Sequence, residues 1–257
     1  MTNHTFRELK RLSREFLMGR YMTPVLAVIT ATILPGILLM PFSTSTMTHW
    51  NVQTATYAIA AIIIGLLAQL LNAGIVRIHL LLAKRQSVSL KDLFWAFRNQ
   101  PDRFLLSALF MTIMFLLPAV PAGLYLLMLA RKKMTAAYLV VTVAAVILLL
   151  SIILLYMACS FCLVFPFYIE HDDMSVIEGF RSSLRYMRGN KMRYFLLQLS
   201  FLGWQLLGLC SMGIGMLWIS PYISQTQANF YLDLTSQLHQ NTEPNTSDFN
   251  ETESSAQ

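Results

Sequence analysis

Residues 134–169 read MTAAYLVVTVAAVILLLSIILLYMACSFCLVFPFYI, 36 positions without one Asp, Glu, Lys or Arg. About 20 apolar residues suffice for a helix to cross a bilayer, so this run holds a complete span with several turns to spare. The span is expected at 136–160, with tilt, a break near Pro166 or extension past the hydrocarbon region absorbing the excess. The aromatic end, FPFYIEHDD, reads as an interface and an exit into water.

The same absence of charge recurs at 21–76, 104–130 and 195–232. Of 257 residues, 56% are hydrophobic and only 12% charged, and the mean hydropathy is +0.55. Such a composition lies far from that of soluble proteins. The expected fold is all-α: a multispanning integral membrane helical bundle with interfacial amphipathic helices. Further spans fall at 22–40, 57–76, 104–130 and 195–219, making five. The second is too long for a soluble core strand. Pro35-Gly36 in the first, and Pro118 and Pro121 in the third, are expected to bend or interrupt their helices. A turn near 210–213 would divide 195–235 into two shorter helices, and six segments are the alternative.

The basic residues lie beside these runs. Five fall within 1–20, six between 77 and 103 and five between 181 and 193, against three at 131–133. This bias places the N terminus in the cytoplasm; five spans would leave the C terminus outside, and six would return it. The net charge of +6 is therefore assigned to topology and anionic lipid, with no nucleic-acid partner, since no nucleic-acid-binding motif accompanies it. Residues 1–20 form a basic interfacial segment, with Phe6, Leu9, Leu12, Phe16 and Leu17 as an apolar stripe. The integral domain covers 21–235, and 240–257, rich in Asn, Thr, Ser and Glu, forms a flexible polar tail.

Chemistry is harder to find. Cys159 and Cys162 form a CSFC pattern without a second ligand pair, so packing is the expected role of these cysteines. Glu170, His171, Asp172 and Asp173 read as a solvated boundary, and His79 as a solvated residue at an inner membrane edge. No HExxH, Walker or GxSxG motif occurs. No catalytic residue, metal or cofactor is assigned, and an enzyme is not the expected class. Between 174 and 188, apolar positions recur at helical intervals while Arg181, Arg185 and Arg188 fall on another side, an amphipathic helix suited to lipid or a protein partner. Gly189-Asn190 supplies its stop. Gln69 and Asn72, together with Gln198, Ser200, Trp204 and Gln205, are expected to meet across the bundle as a packing cluster or a polar path. Trp218, Tyr222 and Tyr231 fit a membrane exit that Pro221 bends, with Gln225, Gln227 and Asn229 as candidate partner contacts.

The ordered segments MRGNKMRYFLLQLSF-GW and LW-SPY-FYL resemble an uncharacterised family of bacterial integral membrane proteins, a domain of unknown function. The family is distantly similar to membrane domains that accompany glycerophosphodiesterases. Gly189, Asn190, Trp218, Pro221, Tyr222, Phe230 and Tyr231 carry the resemblance, along with Ser183, Met187 and Trp204. It implies a bacterial plasma (inner) membrane location, multi-pass, and no assigned active site. The expected function is noncatalytic membrane organisation or partner interaction, with membrane lipids and a membrane or cytoplasmic protein as partners. The alternative is a small-molecule or lipid transporter.

Overall fold

The computed structural model describes residues 5–42, 52–130 and 135–235. The expected tail at 240–257 and the basic connection at 131–133 lie outside them. Every element among the described residues is helical. In chain order the α-helices are α1 (Phe6–Leu17), α2 (Met22–Leu39), α3 (Val52–Ala83), α4 (Trp95–Arg98), α5 (Pro101–Ala130), α6 (Ala136–Phe161), α7 (Val164–Glu170), α8 (Val176–Met187), α9 (Lys191–Leu199), α10 (Leu202–Cys210) and α11 (Met216–Leu234), with short 3-10 helices at Met40–Phe42 and Leu90–Phe94. Four stretches are long and apolar enough to cross a membrane: Met22–Phe42, Ala55–Ala83, Pro101–Leu129 and Tyr138–Glu170.

The helix ends gather at one pole. Arg20, just before α2, donates to the Gln86 carbonyl beyond α3, so these two helices run antiparallel. Lys84 pairs with Glu170 at the end of α7. Arg103, at the start of α5, donates from its guanidinium to the carbonyls of Tyr168, His171, Asp172 and Met174 at 2.7–3.1 Å. One cation thereby satisfies carbonyls left open where α7 ends. We call this pole the basic end.

Burial follows the same polarity. The large buried side chains, among them Leu9, Leu17, Ile78, Leu82, Leu93, Phe104, Tyr168, Met187 and Tyr231, belong to the basic end. Away from it Ile37, Ile62, Leu117, Leu148 and Leu207 are more than half exposed. None of the most apolar window of Tyr138–Glu170 is buried. Among the described residues, the large buried side chains thus concentrate at one pole, and the apolar stretches beyond it stay largely exposed.

Local sequence explains several boundaries. Thr5 and Glu8 form a reciprocal capping box that starts α1. The apolar stripe of this expected interfacial segment is covered by protein: Leu9, Leu12, Phe16 and Leu17 are buried and α1 packs against α11 and α3. Gly74 permits a close approach of another kind, since a Cβ there would lie 1.9 Å from the Leu93 carbonyl oxygen. α5 continues through Pro118 and Pro121 without interruption. The chain after α6 breaks at Cys162-Leu163, one turn before Pro166, whose missing amide removes the bond that continuity would need there.

The stretch 195–219 is divided rather than continuous. Ser200 turns its hydroxyl back to the Leu197 carbonyl at the α9–α10 break. Lys10 of α1 then donates to the Ser200 carbonyl at 3.1 Å and sits 4.2 Å from the centre of the Phe201 ring. After α10, Met212 (φ 55°) and Gly213 (φ 87°) turn the chain. α11 returns antiparallel, as the pairs Phe201–Tyr222 and Tyr194–Phe230 and the Arg193–Asp233 ion pair record. This helical hairpin is the arrangement first weighed as the alternative, and it brings the end of α11 back to the basic end beside α1.

Candidate functional site

The connection 171–190 builds a cationic recess. Ser175 caps α8 and exchanges hydrogen bonds with Glu178, whose carboxylate accepts from the Ser175 amide and hydroxyl at 2.9 Å each. The amide bond, then the hydroxyl, holds the Glu178 carboxyl below the usual carboxylate range. One face of α8 is buried through Gly179, Phe180, Ser183 and Met187. Phe180 packs edge-on against Phe110 and Phe161, and Ser183 donates to the Ser160 carbonyl at 2.7 Å. The opposite face keeps Ile177, Arg181, Leu184, Arg185 and Arg188 exposed.

Gly189 takes φ +87°, which favours glycine, and reverses the chain after α8. Asn190 steadies the reversal by donating to the Tyr186 carbonyl at 3.1 Å. Lys191 is thereby returned to α6, its ammonium 3.7 Å from the centre of the Tyr156 ring. Tyr156, Arg181, Arg185, Arg188 and Lys191 line a recess of about 550 Å³. Among the described residues, no carboxylate closes on any of these four cations at ion-pair distance.

Two neighbours complete the surroundings. On one side, Arg181 and Arg185 also border a recess of about 710 Å³ that carries Glu170, Asp172, Asp173 and Glu178. Glu170, expected at a solvated boundary, is instead largely buried between Lys84 and the Tyr231 hydroxyl, which donates to it at 2.8 Å. On the other side, Ile152, Leu155, Cys159, Met192 and Phe195 form an apolar groove of about 200 Å³ between α6 and α9, which Tyr156 and Lys191 also line. Among the described residues, no three His, Cys, Asp or Glu side chains converge as metal ligands would.

The expected polar cluster divides in two. Asn72 donates to Gln69 within α3 at 3.2 Å, and Gln198 donates to the Tyr194 hydroxyl within α9 at 2.8 Å. Ser200 serves the helix break, Trp204 is half exposed on α10, and Gln205 is half-buried beside it. A different polar network, unseen in the sequence, joins three helices. His79 is fully buried, correcting its expected solvated place, and its Nδ1 lies 2.9 Å from Gln225 Oε1. Gln225 donates onward to the His79 carbonyl and to Asn229 Oδ1, and Asn229 donates to Ser13 at 2.9 Å. Gln225 and Asn229 are therefore core residues of α11 and not a surface for partners. His79 also lines a cavity of about 60 Å³ with Cys162, Tyr194, Ser224 and Gln227.

The residues that carried the family resemblance sit mainly in this framework. Gly189 and Asn190 make the reversal, Pro221, Phe230 and Tyr231 are buried, Tyr222 meets Phe201 edge-on, and Trp218 remains exposed. The family described as "Protein of unknown function (DUF975)" matches residues 1–238. No curated protein and no solved structure matches the chain.

Proposed function

The chain belongs to the DUF975 family, which brings no activity with it, and from that premise we propose that it is a noncatalytic membrane-organising protein that holds anionic groups at the cytoplasmic face of a bacterial plasma membrane. The carrying observation is the recess of Arg181, Arg185, Arg188 and Lys191, four cations with no carboxylate at ion-pair distance among the described residues, beside the exposed face of α8 that also bears Ile177 and Leu184. Alternating apolar and basic side chains suit the boundary between acyl chains and headgroups, where long cations reach outward from a buried stem. The four apolar stretches provide the anchor, and the basic end takes the cytoplasmic side because most Lys and Arg residues gather there. With the arms of the α9–α10 and α11 hairpin read as two further crossings beside these four, both ends of the described chain lie in the cytoplasm.

For the transport alternative, the polar feature among the described residues is the cavity beside His79. Its volume of about 60 Å³ suits about two waters, and a solute path would need far more room. The direct test of the preferred reading is copurification from native membranes with quantitative mass spectrometry. Intact protein is compared with the Arg181→Glu, Arg185→Glu, Arg188→Glu variant at matched expression and melting temperature. Anionic lipid enriched by the intact protein and lost from the variant supports the proposal. Equal lipid profiles, with no anionic species enriched by either, would overturn it.

A further inference from the structure

Resting on that reading, we infer that the recess and the adjoining groove are one site for an anionic glycerophospholipid, with the phosphate among Arg181, Arg188 and Lys191 and one acyl chain lying between α6 and α9. Continuity of the two spaces is the first ground. Lys191 and Tyr156 line both, and the cation–ring contact between them places a charged head and an aromatic face at the junction. Their linings then change abruptly. The recess presents four cations, while the groove beyond the junction is walled by Ile152, Leu155, Cys159, Met192 and Phe195. A ligand filling both must be anionic at one end and aliphatic along the rest. A diacylglycerol phosphate meets that description; a free phosphate would leave the groove empty, and an acidic peptide would put backbone amides into a wall without polar partners.

Direction is the second ground. α6 leads from this junction into the stretch whose most apolar window has no buried residue, so the groove opens along a helix already left to an apolar solvent. A bound chain extends the surface that neighbouring lipid covers. The acidic recess next door sets the limit on the other side. Asp172, Asp173 and Glu178 discourage additional phosphate beyond Arg185, so one phosphate is expected at the junction and not a polyphosphate.

The test uses the full chain in detergent micelles, with bound lipid read by native mass spectrometry after exposure to equal amounts of phosphatidylglycerol and phosphatidylcholine. The expected result is about tenfold preference for phosphatidylglycerol, lost in Arg188→Gln, Lys191→Gln. Competition on the unaltered protein gives a readout independent of how any variant folds. Lysophosphatidylglycerol, with one chain, should displace the bound lipid, whereas glycerol 3-phosphate at a hundredfold higher concentration should not. Ile152→Trp, which fills the groove from an exposed wall, should reduce phosphatidylglycerol binding at least fivefold. Equal displacement by glycerol 3-phosphate and lysophosphatidylglycerol, together with unchanged binding by Ile152→Trp, would overturn the joined site while leaving the anion-binding reading standing. No preference for phosphatidylglycerol and no binding of glycerol 3-phosphate would overturn both.

Discussion

At the scale of single residues, two positions show how much the basic end depends on contacts between distant parts of the chain. Gly74 occupies an ordinary place in the sequence NAGIV, and nothing around it announces that the Leu93 carbonyl will arrive within 1.9 Å of where a Cβ would stand. Gly74→Ala must push the backbone turn off α3, at a cost of about 3 kcal/mol. Thermal unfolding in detergent should show the loss; an unchanged melting temperature would mean that the turn is not seated there. His79 and Gln225 are 146 positions apart, so their hydrogen bond was equally illegible. Gln225→Leu leaves the His79 ring and the Asn229 amide short of partners inside the protein, for a penalty of about 1–3 kcal/mol, whereas Gln205→Leu on the half-buried surface of α10 should cost far less. Denaturant or thermal midpoints of the two variants check the contrast. Sequence reading overrated Gln205 and underrated Gln225 because polarity within an apolar run is visible, while burial depends on which helix returns to cover it.

At the scale of elements, α8 was the most legible part of the chain. Its helical spacing and its end at Gly189-Asn190 were readable, whereas the Ser175–Glu178 cap that starts it was not read, and Ile177 and Leu184, expected apart from the arginines, share their exposed face. The capping pair also makes its stability depend on pH. Since the folded helix holds the Glu178 carboxyl below its ordinary range, the stabilisation is complete above the unfolded carboxylate pKa and is lost as pH falls through the lower, folded value. Amide exchange in the first turn of α8, corrected for intrinsic rates, should therefore quicken on acidification, and Glu178→Gln should flatten that dependence. Persistence of the full pH dependence in Glu178→Gln would assign it to another group. The hairpin of α9, α10 and α11 was less legible. The run 195–232 carries no charge to mark where one helix ends, and the turn at Met212-Gly213 offers only a glycine among apolar neighbours. What divides α9 from α10 is a serine hydroxyl together with Lys10, which comes from the opposite end of the chain.

At the scale of the whole molecule, composition disclosed the all-helical, apolar character, and the charge distribution disclosed which pole is different. It did not disclose that the basic pole is a packed core with α1 inside it, because an apolar stripe beside positive charge has the same appearance whether lipid or protein covers it. The hairpin has a consequence for sidedness. In a variant whose native cysteines are replaced by serine, Met212→Cys should react with a membrane-impermeant maleimide on intact cells, while Thr235→Cys should react only after permeabilisation. Labelling of Thr235→Cys on intact cells would contradict a returned C-terminal segment. The central claim is that the cationic face of α8 lies against lipid headgroups. The most direct measurement is the depth of a nitroxide at Leu184, from its collisions with oxygen and with a water-soluble nickel chelate, in vesicles containing anionic phospholipid. The account predicts a probe at headgroup depth, favoured by oxygen and moved toward water by Arg181→Glu, Arg188→Glu. A probe at Leu184 as accessible to the nickel chelate as one at Asp173, with or without those charges, would contradict it.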